Sequence, residues 1–301
     1  MGIGTETSGL LAYLGELQQI VDKVLDAWVP AAAVDPASIH EAMRYSLFAG
    51  GKRIRPILAI SAARAARDEN SGVENAAASL ELIHTYSLIH DDLPALDNDD
   101  LRRGRPTCHK VYGEAMAILA GDALLTLAFE VLSRLPGVTA ERRIRLVEEL
   151  ARASGTVGGM IGGQVHDLEG ERKTPTAELL ESIHRAKTGA LLRASVRFGA
   201  IYASADETQL AGLTSYGEHM GLAFQIVDDI LDVEESSENL GKTAGKDQAQ
   251  HKITFPAVYG LERSREMAGQ ERLAAHAALS AFDHRADPLR QIADYIVQRK
   301  A

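Results

Sequence analysis

Two acidic clusters of similar design stand far apart in this chain: Asp91-Asp92-Leu93-Pro94-Ala95-Leu96-Asp97 and Asp228-Asp229-Ile230-Leu231-Asp232. Carboxylate oxygens are the ligands that hard cations such as Mg²⁺ take. Mg²⁺ binds one or two of them and keeps its other positions for water and substrate phosphates. An acidic run alone is most often a solvated helix face. Here each cluster interrupts an apolar stretch, where a charge without a partner is costly. Two such clusters facing each other would hold a phosphorylated substrate through metal ions.

Spacing sharpens this reading. Asp228 and Asp232 are one helical turn apart and share a face. Asp91 and Asp97 are about 120° out of alignment on an unbroken helix. Pro94 removes a backbone donor and clashes with the preceding turn, so the helix should end or bulge there and let Asp97 fold back toward Asp91.

Cations accompany the acids. Gly50-Gly51-Lys52-Arg53-Ile54-Arg55-Pro56 sets three after a glycine pair, and Asp99-Asp100-Leu101-Arg102-Arg103-Gly104-Arg105-Pro106 follows the first cluster. Arginine's planar fork suits phosphate oxygens, and lysine acts as a point charge. One phosphate held by metal and another held directly by cations is the arrangement these runs suggest. Lys187-Thr188-Gly189 and Phe224-Gln225 are polar interruptions of apolar helix. They fit a site, and equally a snorkelling lysine and an interhelical glutamine hydrogen bond. His84 and His90 flank Tyr86-Ser87, and His90 reads as a satisfied core histidine. Gly162-Gly163-Gln164 reads as close helix packing, with Gln164 within reach of the site.

The elements that must position these groups are helices. Leu10, Leu11, Leu14, Leu17, Ile20, Val21, Val24, Leu25 and Trp28 form one amphipathic stripe, and strand signals are almost absent. The pattern predicts helices at 8–28, 36–49, 54–68, 73–93, 111–135, 139–169, 175–203, 206–236, 252–263, 265–283 and 287–299. Asp35-Pro36 and Thr174-Pro175 read as N-caps followed by proline in the first turn, and 204–209 offers two overlapping capping boxes. The polar segment 235–251 reads as a mobile loop beside the second cluster. No composition break divides the chain, so residues 1–301 are expected to form a single all-α domain.

Composition bounds the function. The 301 residues are 46% hydrophobic, enough for a sizeable core. A net charge of −10 argues against a nucleic-acid partner. A single cysteine, Cys108, excludes an internal disulfide. No run of 18 apolar residues and no basic-then-apolar leader are apparent, so membrane insertion is not expected and the chain reads as soluble and cytoplasmic.

The ordered motifs GGKRIRP at 50–56, SLIHDDLPALDNDDLRRGRPTCHK at 87–110, GGQ at 162–164, KTGALL at 187–192, and FQIVDDILD with GKTAGKD within 224–247 resemble those of the trans-isoprenyl diphosphate synthases. Within that family the bacterial farnesyl diphosphate synthases are most similar. The resemblance implies the isoprenoid synthase fold, a bundle of long helices around a deep central cavity. It implies three Mg²⁺ ions, with Mn²⁺ as a substitute, on Asp91, Asp97 and Asp228, assisted by Asp92, Asp229 and Asp232. It further implies an allylic diphosphate (dimethylallyl or geranyl) held by Arg102, Lys187, Lys242 and Lys246. Isopentenyl diphosphate would sit in a metal-free pocket of Lys52, Arg55, His84 and Arg103, Thr188 and Gln225 would turn oxygen dipoles toward a carbocation, and the molecule would be a homodimer.

Tyr86 and Ser87 lie about 6–7.5 Å below Asp91 along the helix. A ring there should stop chain growth, and Tyr86 resembles the farnesyl enzymes in this respect. A geranylgeranyl synthase, a terpene cyclase and a non-catalytic partner subunit are the alternatives. Lys52, Arg55 and His84 count against a cyclase, which binds one diphosphate, and the intact aspartates count against a non-catalytic subunit.

Overall fold

The computed structural model describes residues 3–68, 70–170, 176–239 and 253–299. In chain order the elements are α1 (Ile3–Trp28), α2 (Ala37–Leu47), α3 (Ile54–Ala66), α4 (Val73–Asp91), a two-stranded antiparallel hairpin of β1 (Leu101–Arg102) and β2 (Arg105–Pro106), α5 (Cys108–Tyr112), α6 (Glu114–Ser133), α7 (Ala140–Ser154), α8 (Met160–Gly170), α9 (Ala177–His184), α10 (Ala190–Tyr202), α11 (Glu207–Asn239), α12 (Phe255–Tyr259), α13 (Leu261–Ala278) and α14 (Asp287–Gln298). This is an all-α bundle apart from the short hairpin, as the helical pattern predicts. The α1 stripe is buried at Leu10, Leu17, Val21 and Leu25, while Leu11 faces out.

Small residues set the centre. Helices α3 and α10 touch through backbone, because a Cβ on Gly199 would lie 2.1 Å from the Ala59 carbonyl oxygen. Helix α4 is buried almost all round and packs along α3 and α6. A separate apolar cluster of Leu180, Leu222, Ile226, Val227, Ile230 and Phe255 lies under the second acidic motif. Helix α6 has the length and hydropathy of a membrane span, yet it packs against α4 through Ala117, Gly121 and Leu124 as a core helix of this bundle does.

Several predicted helices are interrupted. The span 139–169 breaks at 155–159, where a Cβ on Gly159 would meet three backbone atoms within 2.8 Å. The span 111–135 divides at Gly113, and the span 252–263 divides at Gly260 between α12 and α13; both glycines have positive φ, +83° and +80°, which side-chain-bearing residues rarely adopt. The span 175–203 carries a π turn at Arg185–Gly189. Pro36, not Asp35, is the N-cap of α2, and Thr174-Pro175 lies outside the described residues. Of the two capping boxes, Asp206–Gln209 forms reciprocally: Gln209 N–H donates to Asp206 Oδ1 (2.8 Å) and Asp206 N–H to Gln209 Oε1 (3.2 Å).

Candidate active site

The first motif turns back as Pro94 requires. Helix α4 ends at Asp91, and the chain then folds so that Asp97 N–H donates to the Asp91 carbonyl (2.8 Å) and Asp99 N–H to that of Asp92 (3.2 Å). Asp91 and Asp97 are thereby close enough to repel. Burial pushes the Asp91 carboxyl up to about 6; Asp97 and Asp92 add to the rise, and Lys187 and Arg102 oppose it. Asp92 points the other way. It is 3% exposed, and Arg102 grips its Oδ1 with Nε (2.8 Å) and Nη2 (2.6 Å). Arg102 thus enters the site as the clamp on Asp92, from a hairpin that the helical pattern did not anticipate.

Lys187 projects from the π turn, a device that shifts a side chain relative to the regular helical face. Its backbone rests on α8, where a Cβ on Gly163 would lie 2.1 Å from Lys187 N, so the glycine pair is close packing as read from sequence. Its Nζ donates to Asp167 Oδ2 at 2.6 Å. Asp167 was missed; the signal was its place one turn beyond Gln164 on the same helix. Burial alone would release the lysine proton, but Asp167, Asp91 and Asp97 outweigh it and hold the ammonium above its ordinary value. Thr188 lies in the same turn, partly buried.

In the second motif the acids divide in the same way. Asp228 is partly exposed and paired with Arg299, whose guanidinium also stacks 4.5 Å from the Phe224 ring centroid. Burial pushes Asp228 upward while Arg299 opposes. Asp229 is 5% exposed and spent on protein: its Oδ1 accepts from the Gln225 amide (3.0 Å), and its Oδ2 accepts from Phe255 N–H (2.9 Å), with His184 Nε2 at 3.4 Å. Asp229 thus ties the second motif to α12 through one oxygen and to Gln225 through the other. The latter bond fixes the Gln225 amide toward Asp229. Asp232 is exposed one turn on, and Lys242, Lys246 and most of the expected 235–251 loop lie outside the described residues.

Between α4 and α11 opens a cleft of about 580 Å³ that brings together all four residues of the expected metal-free pocket, Lys52, Arg55, His84 and Arg103, with Phe224 and Arg299 on its wall. Arg55 Nε is buried without a partner there. His84 is driven well below the ordinary histidine value by burial and by Arg55, Arg103, Arg102 and Arg53, so it is neutral. Arg103 donates to the Gly50 carbonyl and lies over Gly51, where a Cβ would meet its Nη1 at 2.7 Å. Arg53 is a structural cation instead, buried against Glu81 (2.9 Å), Asp22 (2.8 Å) and the Leu47 carbonyl (2.8 Å). Of the length residues, Tyr86 is 5% exposed with a buried hydroxyl that has no partner, and Ser87 donates to the His84 carbonyl (2.9 Å).

A family model described as polyprenyl synthetase matches residues 36–294. The chain belongs to that family. It is a trans-prenyl diphosphate synthase. The synthase is 50% identical over 256 residues to a protein named farnesyl diphosphate synthase from Geobacillus stearothermophilus, covering 84% of this chain and 86% of that one. It is 48% identical over 297 residues to the large subunit 1 of a heterodimeric chloroplastic geranylgeranyl pyrophosphate synthase of Arabidopsis thaliana, covering 96% and 79%. The crystal structure of an FPP/GFPP synthase from Zymomonas mobilis superposes with a TM-score of 0.86 at 38% identity, covering 96% of this chain and 99% of that one.

The synthase's carboxylates fit divalent cations by their chemistry. Asp91 is a partly buried acid raised by desolvation and then by Asp97 and Asp92, and Asp228 is held by a borrowed guanidinium, so both gain from a cation. Among the described residues no three acids or histidines converge on one point. Mg²⁺ does not require that, because substrate phosphates and water complete its shell.

Proposed function

We propose that the chain condenses isopentenyl diphosphate with dimethylallyl and then geranyl diphosphate, giving farnesyl diphosphate. The observation that carries this reading is the pairing of a carboxylate rim with a separate cleft of Lys52, Arg55, His84 and Arg103. One diphosphate is recognised through metal and the other through cations alone. Tyr86, buried below Asp91, supports the fifteen-carbon limit, and so does the likeness to a bacterial protein named for that product. Relatives named for geranylgeranyl diphosphate favour a second reading in which growth continues by one unit. Incubation with labelled isopentenyl diphosphate and each allylic starter, followed by chromatography of the dephosphorylated products, separates the two; twenty-carbon product from the unmodified chain would sink the farnesyl reading.

Asp91, Asp97 and Asp228 are the residues that would hold Mg²⁺, which when bound draws charge from the leaving diphosphate and so favours ionisation of the allylic C–O bond. Lys187, kept charged by Asp167, neutralises the same leaving group from the π turn. Lys242 and Lys246 belong to the same proposed set. Thr188 and Gln225 supply oxygen dipoles near the allylic carbon. Lys52, Arg55 and Arg103 fix the second diphosphate while neutral His84 donates a hydrogen bond without adding charge. The alkene then attacks the allylic cation, and the released diphosphate takes the final proton.

The synthase is further proposed to be a homodimer through α6. Only 44% of its 18-residue apolar window is buried, and Ile118 and Leu119 are 45% and 54% exposed. Sedimentation of the wild type and of Leu119→Glu tests this; a monomeric wild type at micromolar concentration would overturn it.

A further inference from the structure

We propose that His90 is a product-length residue that acts through Tyr86, seated in a notch that Gly121 leaves in α6. This rests on the reading of Tyr86 as the floor of the growing chain's cavity. The His90 ring meets Tyr86 edge to face, with centroids 5.7 Å apart and planes at 76°. Its Nε2 lies 3.0 Å from the Ile118 carbonyl, so that nitrogen carries the proton and donates across to α6. A Cβ on Gly121 would fall 2.1 Å from Nε2, 2.5 Å from Cδ2 and 2.9 Å from Cε1. The imidazole therefore occupies the space of the missing side chain.

Floor stiffness follows from this contact. A ring that ends chain growth works only if it cannot retreat. The Tyr86 hydroxyl is buried without a hydrogen-bond partner, so no polar contact tethers the ring at its tip. Packing must hold it, and His90 is the ring behind it, pinned by the Ile118 carbonyl and with its own retreat closed by the α6 backbone at Gly121. His90 is a positioning residue: it neighbours Asp91 in sequence but faces α6.

The test is the product spectrum of His90→Ala, Gly121→Ala, their double variant and Tyr86→Ala, with the rate of the first condensation and the thermal melt measured for each. His90→Ala should let the Tyr86 ring drop back and raise the ratio of longer to wild-type product by about tenfold, the scale of discrimination for a small change in an apolar pocket. The first condensation should be unchanged. Gly121→Ala alone drives the imidazole toward Tyr86 and should lower that ratio. Added to His90→Ala, the same methyl enters the emptied notch and should return the spectrum toward wild type, so the two substitutions are expected to be non-additive. His90→Gln, whose amide nitrogen reaches about where Nε2 lies and so keeps a donor for Ile118 but no ring, should lengthen product as His90→Ala does. An unchanged spectrum in both His90 variants while Tyr86→Ala lengthens product overturns the role of His90 and leaves the floor intact. No lengthening in Tyr86→Ala overturns the floor reading and this inference together. If the wild type already makes twenty-carbon chains, the farnesyl reading falls while the shift between wild type and His90→Ala still decides the inference.

Discussion

The two acidic motifs look alike in sequence and are built on one plan, yet they are held in place by different means. Each is followed by a five-residue helix, a glycine of positive φ and a long helix: α5, Gly113 and α6 after the first, α12, Gly260 and α13 after the second. In each, the first aspartate of the pair meets the site and the second is buried. Adjacent helical residues point about 100° apart, so the two neighbouring acids of each motif meet different surroundings. The difference is in what anchors the buried one. Asp92 is clamped by Arg102 ten residues on, a local contact, whereas Asp229 accepts from Phe255 N–H and lies beside His184, contacts that only the tertiary fold supplies.

The largest effect should come from breaking this division of labour. Asp91→Ala and Asp228→Ala should each lower turnover by about three orders of magnitude with little change in melting temperature, since they remove transition-state charge stabilisation from partly exposed positions. Asp229→Ala should do the converse first, lowering stability by about 2–4 kcal/mol as Phe255 N–H and the Gln225 amide lose their acceptor. Calorimetry and steady-state rates on the four single variants of Asp91, Asp92, Asp228 and Asp229 read both axes. Excess chelator should abolish turnover, and Mg²⁺ or Mn²⁺ should restore it; full rate without metal would remove the basis of the carboxylate reading.

Next in size are the two diphosphate sites. Arg55→Ala should raise KM for isopentenyl diphosphate by about tenfold to a hundredfold, with a smaller change for the allylic substrate, because a charge-assisted bidentate contact is lost on one side only. Lys187→Ala, and to a lesser degree Asp167→Asn, should reduce kcat with the allylic substrate. Equal changes in both substrates for all three variants would merge the sites into one.

The smallest effect is a pH dependence in the metal-free protein. The folded Asp91 carboxyl stands at about 6 against an ordinary 3.8, so the folded chain binds this proton more tightly than the unfolded one. The resulting cost is absent below the ordinary value, builds as pH rises toward the folded value and is complete above it. Lowering the pH from about 7.5 to about 5 should therefore stabilise the wild type relative to Asp91→Asn by about 1 kcal/mol, measured by denaturant melts in chelator. A difference that does not change with pH would show that Asp91 is not desolvated.

Much of the fold was legible because amphipathic stripes and cap residues are local signals. Leu17, Val21 and Leu25 are buried as the α1 stripe requires, and Asp206 with Gln209 caps α11. The breaks at 155–159 and the π turn at 185–189 were not legible, since a backbone approach between helices, as at Gly163 against Lys187, leaves only a glycine in the sequence. The site divides the same way. Asp97 folding back on Asp91 follows from Pro94, but Asp167 beneath Lys187 and Arg299 on Asp228 come from elements remote in the chain.

By itself, then, the sequence determined the helical class, the two carboxylate motifs and the cations that accompany them, because residue type and short spacing fix local conformation and ligand chemistry. Tertiary structure alone decided which carboxylates are available. Asp91 and Asp228 are partly exposed, and Asp92 and Asp229 are buried against protein donors. Burial and hydrogen-bond partners depend on which helices meet, and no local pattern carries that information.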